Sequence, residues 1–227
     1  MKFFQRRPKC IICGICKSED NMHIKYKGIG VCKKCYDEAL HTTKDKCFDG
    51  KGAIKFVMSA FMYIGDIKKT VKLYKFSGQK FYGVLFGKLI CQELADIDIF
   101  TCYDMIVPVP LHGKRLDERG FNQSEVIAEV LAEYLNLPIN TDVLIRTRET
   151  RRQSSLKGME RAENVKGAFY ADRINVSGKN IILVDDIYTM GETVKACAEA
   201  LKEAGAVDII AVTLCKTDEK TLERLWR

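Results

Sequence analysis

The chain of 227 residues is 47% hydrophobic and 30% charged with only 4 prolines, which excludes a disordered tail or a collagen-like repeat and suits one ordinary domain plus a smaller one. Its longest uncharged stretch, Phe56 to Gly65, is far shorter than the roughly 20 apolar residues of a membrane-spanning helix, so no membrane insertion is expected. Net charge is +7, unevenly spread: residues 1–100 hold 19 Lys+Arg against 10 Asp+Glu, and residues 101–227 hold 18 against 20, so the first half suits either a polyanionic partner or simple solvation.

Residues 1–48 begin with Met-Lys-Phe-Phe-Gln-Arg-Arg-Pro, basic but without the apolar run of a secretory leader, and a cytoplasmic location is expected. Five cysteines, 10, 13, 16, 32 and 35, then crowd into 26 residues, which in a cytosolic chain reads as metal binding before disulfide. Cys10-x-x-Cys13 and Cys32-x-x-Cys35, with 18 residues between, have the spacing of a structural four-cysteine zinc site in which each pair bites one edge of a tetrahedron. Cys13-x-x-Cys16 is the competing first pair; Gly14 favours the former by permitting a tight turn after Cys13. With little apolar periodicity around it, the segment reads as a small four-cysteine zinc module whose core is the metal.

Residues 49–100 read as a connecting strand-helix-turn-helix segment, with helices over Ile67 to Phe76 and Phe81 to Leu94. Lys68, Lys72 and Lys75 fall on one face of the first helix, and Lys75 is next to a Phe76-Ser77-Gly78 turn that can direct it elsewhere. Tyr26, Tyr36, Phe76, Phe81 and Tyr82 lie among lysines, as base-stacking groups or as core.

Residues 101–227 alternate short apolar runs with helical periodicity, the pattern of an α/β fold with a parallel sheet flanked by helices. Met105 to Pro110 is a strand stopped by proline. Asn122 can cap a helix whose buried face is Val126, Ile127, Val130, Leu131, Tyr134 and Leu135. A strand over Asn180 to Val184, a helix over Thr193 to Ala204 and a strand over Val207 to Leu214 follow. At the end of the 180–184 strand stand two adjacent carboxylates, Asp185 and Asp186, and then Ile187-Tyr188-Thr189-Met190-Gly191-Glu192-Thr193 leads into a helix. Carboxylates accept from vicinal sugar hydroxyls, and a loop with hydroxyls and free N–H groups at a helix start cradles phosphate, so this string describes a site for a ribose 5-phosphate. The chain contains neither Gly-x-x-x-x-Gly-Lys-Ser/Thr nor a Gly-x-Gly-x-x-Gly after a strand, which excludes P-loop and dinucleotide-binding readings.

The 181–193 string resembles the diphosphoribose motif of phosphoribosyltransferases: four apolar residues, two acids and a Thr-Gly-x-Thr loop, with Met190 where a second threonine is common. Pro8-Lys9-Cys10-Ile11-Ile12-Cys13-Gly14, Ile106-Val107-Pro108-Val109-Pro110-Leu111-His112, Arg119-Gly120-Phe121-Asn122-Gln123 and Arg148-x-Thr150-x-x-Gln153-x-x-Leu156 resemble, more narrowly, the ComF competence-protein family. The resemblance implies a phosphoribosyltransferase-type sheet behind an N-terminal zinc finger. It implies Asp185, Asp186 and Arg161 around the reacting ribose, and Tyr188, Thr189, Met190, Gly191, Glu192 and Thr193 on the phosphate. Arg115 and Arg119 would meet the pyrophosphate, and the cationic 146–161 segment would act as a lid. Expected ligands are 5-phosphoribosyl diphosphate with Mg2+, structural Zn2+ on Cys10, Cys13, Cys32 and Cys35, and single-stranded DNA. DNA-uptake helicases or recombination proteins are the partners implied. Two functions stay open: DNA handling in natural transformation with the cleft as a binding site, or transfer of phosphoribose to a nitrogenous acceptor with release of pyrophosphate.

Overall fold

The computed structural model describes residues 7–41, 46–95, 97–150 and 159–217. The N-terminal module consists of β1 (Lys9–Cys10), β2 (Met22–Tyr26), β3 (Ile29–Cys32) and α1 (Lys33–His41). The chain continues through β4 (Cys47–Asp49), β5 (Phe56–Met62), α2 (Gly65–Phe76), α3 (Phe81–Leu94), β6 (Met105–Pro108), α4 (Gly113–Arg119), α5 (Gln123–Leu135) and β7 (Leu144–Arg146). It ends, among the described residues, with α6 (Met159–Val165), β8 (Phe169–Ala171), α7 (Arg173–Val176), β9 (Asn180–Tyr188), α8 (Glu192–Glu203) and β10 (Asp208–Lys216).

The main sheet has the order β4-β5-β10-β9-β6, parallel except for the antiparallel edge strand β4. Ile181, Ile182, Leu183 and Val184 are fully buried, as a strand covered on both faces requires. Period-two alternation then sorts them: Ile182 and Val184 join the layer of α2, α3 and α5, while Ile181 and Leu183 join the layer containing Val194, Cys197, Ala198 and Leu201 of α8.

Three differences from the sequence reading have physical causes. The 49–100 stretch, read as a connecting segment, supplies β5 to the main sheet, because Val57 and Met58 find register with Ala211 and Val212 of β10, and the edge strand β4 beside it begins at Cys47, within the stretch read as the zinc module. The 180–184 strand runs on to Tyr188, because β10 continues alongside it to Lys216 and pairs Thr213 with Asp185 and Lys216 with Tyr188. Tyr134, expected on the inner face of α5, is 49% exposed, and Ala128 and Ala132 are buried in its place. The face is turned by α3, whose Gly83 and Gly87 let the two helices close in; a Cβ on Gly87 would stand 2.6 Å from that of Val130.

The N-terminal module shares the core of the larger body. Its Cys10, Met22, Val31 and Cys32 belong to the same apolar cluster as Phe61 and Leu89. Polar clamps add to this contact: His23 Nε2 lies 2.9 Å from Gln92 Oε1, and the Glu93 carboxylate of α3 takes hydrogen bonds from the Tyr36 hydroxyl and Lys46.

Alanine normally strengthens a helix by about 1 kcal/mol over glycine, but overpacking costs about 1–3 kcal/mol. Gly87→Ala is therefore expected to lower stability by on the order of 1 kcal/mol, read as a lower urea midpoint at unchanged slope.

Candidate functional site

A cleft of about 480 Å³ opens beyond the carboxyl ends of β5, β6, β9 and β10, where parallel α/β sheets place their ligands. Asp185, Asp186, Ile187, Thr189 and Thr193 line it, together with Arg115, Arg119 and Arg146 and the α2 residues Lys68, Lys72, Lys75 and Phe76.

The two carboxylates are successive strand residues and are held from different elements. Asp186 is clamped by Lys75, whose Nζ is 3.0 Å from Oδ1 and 2.9 Å from Oδ2, with side-chain exposures of only 18% and 10%. Asp185 Oδ1 accepts from the Ser124 hydroxyl at 2.9 Å and from the Asp186 backbone N–H at 2.8 Å. Ser124 is in place because Asn122 caps α5 through the Ser124 N–H at 3.1 Å and ties that helix start to Val109 O at 3.0 Å. Burial, and then the charge of Asp186, push the Asp185 carboxyl up to about 7 against the partial relief given by Lys75 and these donors.

The loop after β9 divides by position. Thr189 and Thr193 line the cleft. Tyr188 is buried beneath the loop, its ring edge-on to Phe48 at 5.3 Å, and Met190 is buried with its carbonyl taking the Lys51 ammonium at 3.1 Å. Gly191 adopts φ 81°, and a Cβ there would fall 2.3 Å from the Tyr188 hydroxyl, so glycine is the residue that lets the loop close over Tyr188. Tyr188, Met190 and Glu192 are outside the cleft lining and shape the loop, whereas Thr189 and Thr193 line the cleft.

Arg115 lines the cleft and donates to Thr150 O at 2.8 Å; Arg119 donates to Gln123 Oε1 at 2.7 Å and lies 5.6 Å over the Phe76 ring. Arg146 packs 5.1 Å over Phe169, hydrogen-bonds the Thr150 hydroxyl and leaves its buried Nε without a partner among the described residues; burial lowers its pKa. The Arg161 side chain and residues 151–158 lie outside the described residues. Of the α2 lysines, Lys69 pairs instead with Asp66 at 2.7 Å. The sequence reading missed Ser124, whose only signal is its position two residues after a helix cap, and Tyr63 and Thr217, which line the cleft from the ends of β5 and β10 without any motif.

At the other end of the chain, the sulfurs of Cys10, Cys13, Cys32 and Cys35 all lie within 4.8 Å of one another. Four soft donors at this separation fit a tetrahedral ion such as zinc. Gly14, at φ 74°, makes the turn that brings Cys13 back, and the Cys32 N–H points at Cys10 Sγ from 3.4 Å. Cys16 is exposed and stands outside the cluster.

The pattern described as "Phosphoribosyl transferase domain" matches residues 122–225. The DNA utilization protein YhgH of Escherichia coli K12 is 37% identical over 192 residues, covering 82% of this chain and 84% of that protein. The chain belongs to the ComF competence-protein family. Competence protein ComFC of Streptococcus pneumoniae R6 is 30% identical over 82% of this ComF chain and 80% of its own. A glutamine phosphoribosylpyrophosphate amidotransferase structure from B. subtilis, solved with ADP and GMP, is 25% identical over 56% of this chain and 25% of its own, with a TM-score of 0.38. No helix among the described residues of this ComF protein is long and apolar enough to cross a membrane.

Two measurements test these sites. Freshly reduced protein is expected to carry one zinc per chain by elemental analysis, with Cys10→Ser losing the metal and Cys16→Ser keeping it; the reverse pattern would reassign the ligands. For Asp185 the native state binds its proton more tightly than the unfolded chain, whose ordinary value is near 3.8. Its contribution to stability is full below about pH 4 and is lost as pH rises toward 7. Asp185→Asn should therefore gain stability relative to wild type across that interval in denaturant titrations, and a constant difference would contradict the burial of the charge.

Proposed function

We propose that the cleft binds 5-phosphoribosyl diphosphate and that the chain handles single-stranded DNA during DNA uptake. The observation that supports this most is the convergence of Asp185, Asp186, Thr189 and Thr193 on one cleft with Arg115 and Arg119 on its wall. Asp186, its orientation fixed by Lys75, accepts from the ribose hydroxyls; Asp185, fixed by Ser124, completes the pair. Thr193, in the first turn of α8, and Thr189, in the loop before it, donate to the 5-phosphate, where the helix terminus adds favourable partial charge. Arg115 and Arg119 face the diphosphate as fixed cations. The carboxylate and hydroxyl oxygens suit a hard cation, and Mg2+ on the diphosphate would neutralise charge as the pyrophosphate departs. In the same reading, zinc on the four cysteines holds the N-terminal module in its fold, and its lysines contribute to the positive potential of the N-terminal half.

Transfer of the phosphoribosyl group to a nitrogenous acceptor is the second reading. It is favoured by Thr217, whose hydroxyl is buried beside the cleft without a partner among the described residues and is free to meet a polar group of an acceptor.

Calorimetric titration of the zinc-loaded chain with 5-phosphoribosyl diphosphate, with and without Mg2+, tests the first reading. Asp186→Asn and Thr193→Val each remove a charge-assisted hydrogen bond, typically about 1.5–3 kcal/mol, and should weaken binding roughly tenfold or more. Undiminished affinity in both variants would return the loop to a purely structural role. Release of pyrophosphate upon addition of a nitrogenous base would establish the second reading.

A further inference from the structure

Helix α2 presents its lysines to the cleft. Lys68, Lys72 and Lys75, at i, i+4 and i+7, all line it, and they span about 10 Å of helix axis. Their environments differ: Lys75 is committed to Asp186, whereas neither Lys68 nor Lys72 has an acidic partner among the described residues. Aromatic rings mark the two ends. Lys68 stands 5.6 Å over the Tyr63 ring, and Phe76, on the helix's last residue, is 64% exposed while it lines the cleft. Arg119 covers part of Phe76 from the opposite wall.

A cationic row with an exposed aromatic at its end is the arrangement that follows a single strand, the lysines on successive phosphates and a base on the ring. Here the row ends at Asp186, the carboxylate assigned above to ribose hydroxyls. A strand lying along it is delivered into the cleft, and about 480 Å³ lies in the range filled by a single small ligand. We propose that single-stranded DNA is tracked by Lys68, Lys72 and Phe76 into the same cleft, so that DNA and 5-phosphoribosyl diphosphate exclude each other. The exclusion rests on the reading of the cleft given under Proposed function.

The test uses the full, zinc-loaded chain and a fluorescently labelled oligothymidylate of about 15 nucleotides, within the footprint of one small binding domain. Adding 5-phosphoribosyl diphosphate with Mg2+ at about ten times its own dissociation constant should raise the apparent DNA dissociation constant about elevenfold, as simple competition requires. Phe76→Ala should weaken DNA binding roughly five- to tenfold. Lys68→Ala with Lys72→Ala should reduce the log-log salt slope by about 1.4, at ~0.7 per phosphate. Lys69→Ala, already paired with Asp66, should change neither, and melting curves confirm that these surface variants remain folded. If 5-phosphoribosyl diphosphate binds but leaves DNA affinity unchanged, the exclusion is overturned while the ribose-phosphate reading survives. If the α2 variants bind DNA as wild type does, the strand runs elsewhere and the proposal falls. If 5-phosphoribosyl diphosphate fails to bind at all, the reading under Proposed function falls and the exclusion with it.

Discussion

The site depends on the parallel pairing of β9 with β10. Strand pairing that stopped at Val184 would leave the two carboxylates on a free loop, each able to turn to water. Because β10 carries the ladder on to Lys216, Asp185 and Asp186 are set by backbone register, and the direction of each side chain follows from the pleat. The loop that follows starts from a fixed point, and Tyr188 under Gly191 sets its height above the sheet.

Two adjacent acids at the largely buried base of the cleft repel one another, and the fold answers this unequally. One receives a whole cation from α2; the other receives a hydroxyl from α5 and a backbone donor. The electrostatics of the motif are therefore completed by two helices distant from it in sequence. Lys75 also makes α2 part of the site, so that the segment preceding the phosphoribosyltransferase-type region contributes both a strand to its sheet and a charge to its cleft.

Much of this was legible in the sequence. Period and length identified the α/β layers; the 181–193 string marked the strand end and loop that line the cleft, and cysteine spacing marked the four sulfurs that converge. What the sequence hid was long-range pairing. No local signal tells that β5 finds a place beside β10, or that the strand carrying Asp185 goes on to Tyr188. Within the loop, the family resemblance implied phosphate contacts for Tyr188 and Met190, yet packing against Phe48 and the interior draws both side chains inward. The i, i+4, i+7 lysines were visible as one face, but only the position of α2 shows that this face looks into the cleft.

The shared core of the N-terminal module governs how this protein can be divided. Tyr36 of α1 packs edge-on against Phe61 of β5 at 6.4 Å, and the cluster around Val31 and Met22 is continuous with Leu89 and Phe61. A fragment that began at β4 would thus carry a bare apolar flank, with the Glu93 carboxylate robbed of its Tyr36 donor. Such a truncation would aggregate for reasons unrelated to its cleft, whereas single exchanges at the cysteines or on α2 dissect the two ends of the molecule within one intact body.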